Sequence, residues 1–303
     1  MGKVEGTGNR PTNASLSYTM NHLVTEVSIA ALPKEATEDR WRPLVKPGFG
    51  APALSETGRA KFLNHFRFLK ETWGVPGFHE IASANNFPSD CGLASSASSF
   101  AALTKAAARA FGRGESAEEL SRLSRRGSGS SCRSFFSPWA LWREEGAESV
   151  DDLGFGDLLH AAVVVSAGMK QVSSSEAHRR VLSSPKFAGR PERAEQRLRE
   201  LMSALREKNW TEAHRVTWDE FVDMHELFET SQPAFGYRNR ASKDVVDACR
   251  HIWSFKNDGP LVTMDAGPNV HLLFRPDQRE LADKMVTHFQ EKHVVMSSWR
   301  GLK

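Results

Sequence analysis

Residues 85–98, Asn-Asn-Phe-Pro-Ser-Asp-Cys-Gly-Leu-Ala-Ser-Ser-Ala-Ser, constrain this chain more than any other stretch. Small residues crowd a loop, and an alanine-rich run of strong helix formers, 100–110, follows at once. A helix start leaves backbone N–H groups unpaired at the positive end of the dipole. Glycine and serine let a bulky anion approach that backbone closely. Ser95, Ser96 and Ser98 add hydroxyls suited to phosphate oxygens or a magnesium ion. Serines also cap helices, so the loop alone leaves two readings open, a capped helix start and a phosphate cradle. No Gly-Lys-Ser/Thr follows Gly92, which excludes the common P-loop.

A length of 303 residues suggests about two domains. The net charge of +3 does not imply nucleic acid, and it suits an enzyme of an anionic metabolite. Cys91, Cys132 and Cys249 lack metal-site spacing and leave an odd count, which fits a reducing cytosol. No apolar run is long enough to span a bilayer, and no signal-peptide core is present, so no membrane partner is expected.

Along the chain, 13–20 and 23–29 alternate as strands, and 37–52 reads as loop. Apolar residues at helical spacing mark 55–72, and 78–84 is a strand entering the small-residue loop. Strand, Gly/Ser loop, helix is the usual setting of a phosphate cradle. A helix at 116–124 leads to Arg125-Arg126-Gly127-Ser128-Gly129-Ser130-Ser131-Cys132-Arg133-Ser134. This second small-residue turn carries arginine on both sides. The aromatic residues beyond it, Phe135, Phe136, Trp139 and Trp142, argue against a flexible linker. Arg133 is suited to holding a carboxylate or phosphate in a bidentate fork.

Residues 158–167 read as an apolar strand, and 190–208, 218–230, 243–255 and 277–292 as helices. Phe221, Met224, His225 and Phe228 form a stripe that reads as core. His225-Glu226 lacks the second histidine of a zinc-binding His-Glu-x-x-His pattern, because Glu229 stands there. Two strands within 261–274 flank an Ala-Gly-Pro-Asn turn with Asp265 at its entry. Asp265 there is either a turn former or a cleft-facing acid. No serine sits in a nucleophile-elbow pattern, which argues against a hydrolase.

Taken together, three motifs resemble one family. Asn86-Phe87-Pro88 with Gly92-Leu93-Ala94-Ser95-Ser96-Ala97 resembles the phosphate loop of mevalonate diphosphate decarboxylases, members of the GHMP kinase superfamily. The 126–134 turn is similar to their serine-glycine signature, and Asp265-Ala266-Gly267-Pro268-Asn269 to their aspartate turn. The resemblance runs nearly end to end, in order. It implies an α+β, two-domain fold: an N-terminal domain like the second domain of ribosomal protein S5 over 1–157, and a ferredoxin-like domain over 158–303. The active site would lie in the cleft between them.

The resemblance implies a reaction as well. ATP phosphorylates the tertiary 3-hydroxyl of a phosphorylated mevalonate; loss of that phosphate and of carbon dioxide gives isopentenyl diphosphate. Asp265, Arg133 and Lys3 are the implied catalytic residues. Pro88, Gly92, Leu93, Ala94, Ser95, Ser96 and Ser98 would hold ATP, with Ser95 and Ser96 near Mg²⁺. Ser128, Gly129, Ser130 and Arg133 would bind substrate. A cytoplasmic homodimer is expected by the same analogy.

Three departures qualify the expectation. Met1-Gly2-Lys3 matches only the end of the family's first strand, an Ile-Lys-Tyr-Trp-Gly-Lys-type run. The expectation is a start codon inside a longer reading frame, an unpaired sheet edge, and weak or absent activity beside an upstream-extended form. Ser89-Asp90-Cys91 replaces the usual Thr-Ala-Ala, which puts a negative charge beside the ATP loop. Ala177-His178 replaces a Gly-Met pair that borders the substrate's diphosphate, which leaves mono- and diphosphate substrates open. The alternatives are a phosphomevalonate decarboxylase, a mevalonate 3-kinase, and a non-catalytic binding protein.

Overall fold

In the computed structural model, residues 8–49, 54–88, 93, 95–144, 146–151, 153–166, 168 and 171–300 are described. Among the described residues the first half holds two three-stranded sheets and three α-helices. Strands β1 (Ser15–Tyr18), β5 (Trp139–Arg143) and β6 (Gly146–Ser149) form one antiparallel sheet in the order β1-β5-β6. Strands β2 (Thr25–Ala31), β4 (His79–Asn85) and β3 (Arg40–Pro43) form the other, in the order β2-β4-β3. β3 lies inside the stretch expected to be loop. It runs parallel to β4, and the two are joined through α1 (Glu56–Trp73). Ser55 caps α1 by accepting from Gly58 N at 3.1 Å, and Gly74 closes it in the left-handed region at φ 62°. Phe62, Phe66 and Leu69 of α1 meet Leu103 and Ala107 of α2 (Ser95–Ala110) over Ile81 of β4. Among the described residues, β1 and β2 carry no strand on their outer edges. The segment expected to bear on those edges, around Lys3, lies outside the described residues.

The second half explains the ferredoxin-like expectation. Strands β7 (Leu159–Val164), β8 (Leu261–Thr263), β9 (Val270–Phe274) and β10 (Val294–Ser297) form an antiparallel sheet in the order β10-β7-β9-β8. Counted within this half, that is the 4-1-3-2 order of a split β-α-β-β-α-β unit. The helices α4 (Ser174–Arg180), α5 (Arg190–Arg206), α6 (Trp210–Glu229) and α7 (Arg240–Lys256) fall between β7 and β8, and α8 (Arg279–Gln290) falls between β9 and β10. α6 begins a full two turns before the expected 218, because Asn209 caps it by accepting from Glu212 N at 3.1 Å. β10 lies beyond the last helix expected from sequence, 277–292, in a stretch for which no strand is expected.

The halves share core. Trp139 and Leu141 of β5 pack with Leu198, Leu205 and Trp210 of α5 and α6. The Tyr18 hydroxyl donates to the Leu158 carbonyl at 3.1 Å, and Ala14 N donates to the Glu195 carboxylate.

Candidate active site

A cavity of about 1140 Å³ opens where the two halves meet. The start of α2 supplies Ser95, Ser96 and Ser98 to its wall; the turn after α3 (Ala117–Gly127) supplies Ser128, Ser130 and Arg133. From the other half come Ser174, Ser175 and Asp265. The loop serine, the guanidinium and the acid, far apart in sequence, therefore border one space.

On the first wall the hydroxyls support one another. Ser96 Oγ and Ser128 Oγ are 3.2 Å apart, which joins the α2 start to the second turn. Ser98 Oγ is hydrogen-bonded to Thr25 Oγ1, which donates to Asn85 Oδ1 at 2.7 Å. Below them, Ser124 Oγ donates to Ser131 Oγ at 2.6 Å, and Ser131 Oγ to the Ser128 carbonyl at 2.6 Å. Arg133 Nη1 donates to Ser15 Oγ at 2.8 Å, and its guanidinium lies 5.5 Å from the Trp142 ring. The planar cation thus has an apolar face at its back while staying half-buried.

The turn's glycines are packing devices. A Cβ on Gly127 would collide with Phe100 and His65. One on Gly129 would lie 3.0 Å from Trp142 Cη2 and 3.3 Å from Asn9 Cβ. Gly129, expected among the substrate contacts, is buried and does not line the cavity; its missing side chain lets the turn close on Trp142. Pro88 is half-buried and likewise stands off the cavity lining. Leu93 borders the cavity but is only 2 % exposed; with Leu23 and Phe87 it packs on Ala162, Val164 and Met296 of the second half. That contact joins Leu93, just ahead of α2, to the ferredoxin-like sheet. Gly92, Ala94, Lys3 and Ser89-Asp90-Cys91 lie outside the described residues.

The opposite wall is pinned through backbone. Asn269 Oδ1 accepts from Val165 N at 2.9 Å and Ser166 N at 3.2 Å, which fastens the Asp265 turn to the end of β7. Ser242 Oγ, in the first turn of α7, donates to the Pro268 carbonyl at 2.6 Å. Gly267 N donates to the Asp265 carbonyl at 2.8 Å. The Asp265 side chain is left exposed to the cavity.

Sequence reasoning missed two cations. Lys105 and Arg109 also border the cavity, one and two turns beyond Ala102 on the face that begins at Ser98. The i, i+4, i+7, i+11 spacing from Ser98 is the signal that would have found them. Burial, and then Arg109, pushes the Lys105 ammonium below its ordinary value; Nζ donates to the Ser134 carbonyl at 3.0 Å. His178 lines the cavity as well.

Magnesium is tested by donor chemistry. Among the described residues no group of three or more His, Cys, Asp or Glu side chains could hold a metal ion. Ser95 and Ser96 fit the sparse protein contribution typical of Mg²⁺ bound mainly to phosphate oxygens and water. Cys132 and Cys249 are buried free thiols, each pushed up to about 12 by burial, and are therefore unreactive.

A phosphate-loop helix facing a ferredoxin-like half across one cavity defines the GHMP kinase class of fold. Comparison with known proteins narrows it. The diphosphomevalonate decarboxylase-like N-terminal domain matches residues 1–152, and the mevalonate 5-diphosphate decarboxylase C-terminal domain matches residues 161–302. The diphosphomevalonate decarboxylase of Eremothecium gossypii is 34 % identical over 90 % of this chain and 73 % of its own. The crystal structure of a mevalonate diphosphate decarboxylase from Legionella pneumophila is 44 % identical, with a TM-score of 0.88, covering 97 % of this chain and 94 % of that one. A structure described as MDDEF in complex with MVAPP, AMPPCP and magnesium is 28 % identical, with a TM-score of 0.84, over 98 % of this chain and 90 % of that one. The chain belongs to the diphosphomevalonate decarboxylase family.

Proposed function

We propose that this chain catalyses the ATP-dependent decarboxylation of mevalonate 5-diphosphate to isopentenyl diphosphate, releasing ADP, phosphate and carbon dioxide. The observation that carries the reading is the shared cavity, bordered by Ser95, Arg133 and Asp265 together. The backbone at the start of α2 and the Ser95, Ser96 and Ser98 hydroxyls grip the ATP phosphates. Ser128 and Ser130 face the substrate's phosphates, and Arg133 takes its carboxylate in a fork. Bound Mg²⁺ supplies charge neutralisation on the nucleotide phosphates.

A tertiary alcohol is a hindered, weakly acidic nucleophile. The Asp265 carboxylate orients the 3-hydroxyl and accepts its proton as the phosphoryl group arrives. Departure of the 3-phosphate leaves positive character at C3, which the Asp265 carboxylate stabilises once it has passed its proton on to the departing phosphate. Arg133 makes electron release from the substrate carboxylate harder, so its contribution is orientation. Residues 1–157 and 158–303 act as the two domains. A cytoplasmic homodimer is proposed on family likeness alone; among the described residues no helix is long and apolar enough to cross a membrane.

The test is product analysis with mevalonate, its 5-phosphate and its 5-diphosphate. The expected result is ADP and carbon dioxide in equal amounts, with the 5-diphosphate preferred. Preference for the 5-phosphate would assign the His178 wall to a shorter substrate, and ADP without carbon dioxide would mean a kinase. Failure to bind ATP–Mg²⁺ would leave a binding protein.

A further inference from the structure

His225 is a buried histidine that the reaction as described does not use. It sits on α6, 0 % exposed, and does not line the cavity. Phe221, Phe228 and Tyr237 wall its ring, with centroids 6.3, 5.3 and 6.3 Å away. Phe228 and Tyr237 belong to the apolar cluster that also holds Ala266, the residue after Asp265. The ring's polar neighbours are the backbone groups of Met264 and Asp265. Yet neither Nδ1 nor Nε2 makes a hydrogen bond of ordinary geometry among the described residues. Burial, ahead of the nearby Arg238 charge, pushes the imidazole down to about 4, so it is neutral and carries a single N–H. A buried donor whose nearest acceptors, in the Met264–Asp265 backbone, stand at poor hydrogen-bond geometry is only partly satisfied, and a phenylalanine would fill this aromatic niche more cheaply. The position therefore keeps a polar group against its own stability interest, directly behind the catalytic turn.

We infer that His225 is a positioning residue for Asp265: its N–H takes up a carbonyl of the Met264–Asp265 segment as the turn settles around bound substrate, and so fixes the carboxylate against the 3-hydroxyl. The inference rests on the reading of Asp265 as the base. Met264 is 1 % exposed, which lets a small shift of this backbone pass directly to the Asp265 side chain.

The experiment compares His225→Phe, which keeps an aromatic ring without the donor, with His225→Gln, which keeps a donor, in the full chain. The expected result for His225→Phe is an equal or higher Tm and substrate and ATP affinities within about two-fold. Its kcat should fall about ten-fold to a hundred-fold. His225→Gln should recover part of the lost kcat. Wild-type kcat in the Phe variant, or a kcat loss that tracks a fall in Tm, overturns the inference. Should the Phe variant not fold, His225→Gln against His225→Met gives the same contrast, with and without a donor. Asp265→Asn is measured alongside. Normal turnover there removes the base reading and this inference with it. An inactive Asp265→Asn beside a fully active donor-free variant leaves the base reading standing and overturns only the positioning role.

Discussion

The two walls of the cavity hold their groups by different means. On the α2 side, small side chains close on one another: Ser96 meets Ser128, Ser124 meets Ser131, and Gly129 closes on Trp142. On the Asp265 side, distant side chains clamp backbone: Asn269 takes the amides of Val165 and Ser166, and Ser242 reaches the Pro268 carbonyl. At the cavity face, where Ser96 is exposed and Ser128 half-buried, water and neighbouring hydroxyls replace a lost partner; the Ser124–Ser131 contact below is fully buried and has no such replacement. On the other wall Asn269 is fully buried, so removing its side chain takes from the half-buried Val165 and Ser166 N–H groups an acceptor that reaches both at once. In the proposed reading the first wall, open at Ser96, admits a long polyanion, and the second, held through Asn269, places a single carboxylate.

The contrast can be broken at several points. Arg133→Gln removes the fork while leaving the Trp142 face in place. The expected loss in kcat/KM is about a hundred-fold, equivalent to ~3 kcal/mol. Steady-state kinetics with ATP saturating checks it. Asn269→Ala strands two amides and should lower stability by about 2–3 kcal/mol, with a parallel loss of turnover, read from urea unfolding and product release. An unchanged urea midpoint would mean the acid wall is not clamped as described.

Acid titration compares the halves through one buried histidine on each side. His65, bonded to Thr104 Oγ1 at 3.1 Å, and His225 are both pushed down to about 4, chiefly by burial. Their folded values lie below the unfolded value, so the unfolded chain binds more protons between pH 4 and pH 6.5. Stability therefore falls as pH drops through that window, by up to about 2 kcal/mol per histidine at pH 5. The gap between urea midpoints at pH 7 and pH 5 should narrow in His65→Gln and in His225→Gln, each by one histidine's share. The smallest effect is expected for Ser96→Ala, a few-fold rise in the KM for ATP with the Tm unmoved, within about 1 kcal/mol.

What was legible in sequence follows the same division. The small-residue loop and the serine-glycine turn are local patterns, and the residues they name border the cavity, apart from Gly129 and Pro88 and those outside the described residues. The Asp265 turn was legible as a turn, but its clamps were not. Ser242 and Val165 reach it only through tertiary packing, and nothing near either residue announces the contact. β3, Arg-Trp-Arg-Pro, has no apolar alternation; pairing with β4 makes it a strand. β10 is a strand because β7, from the far side of five helices, offers it an edge. Lys105 and Arg109 were hidden differently: their helix was plain, but its cavity-facing stripe was read no further than Ser98. His225 reads in sequence as core, and so it is; its place behind Asp265 exists only in the fold.

The central claim is that Asp265 activates the 3-hydroxyl across the cavity from the nucleotide. The direct measurement is the single-turnover rate of ADP formation from ATP and mevalonate 5-diphosphate in wild type and Asp265→Asn, with ligand binding followed by calorimetry. The account predicts near-normal binding of both ligands and a rate at least about a hundred-fold lower. Bound ligands with an undiminished rate would contradict it.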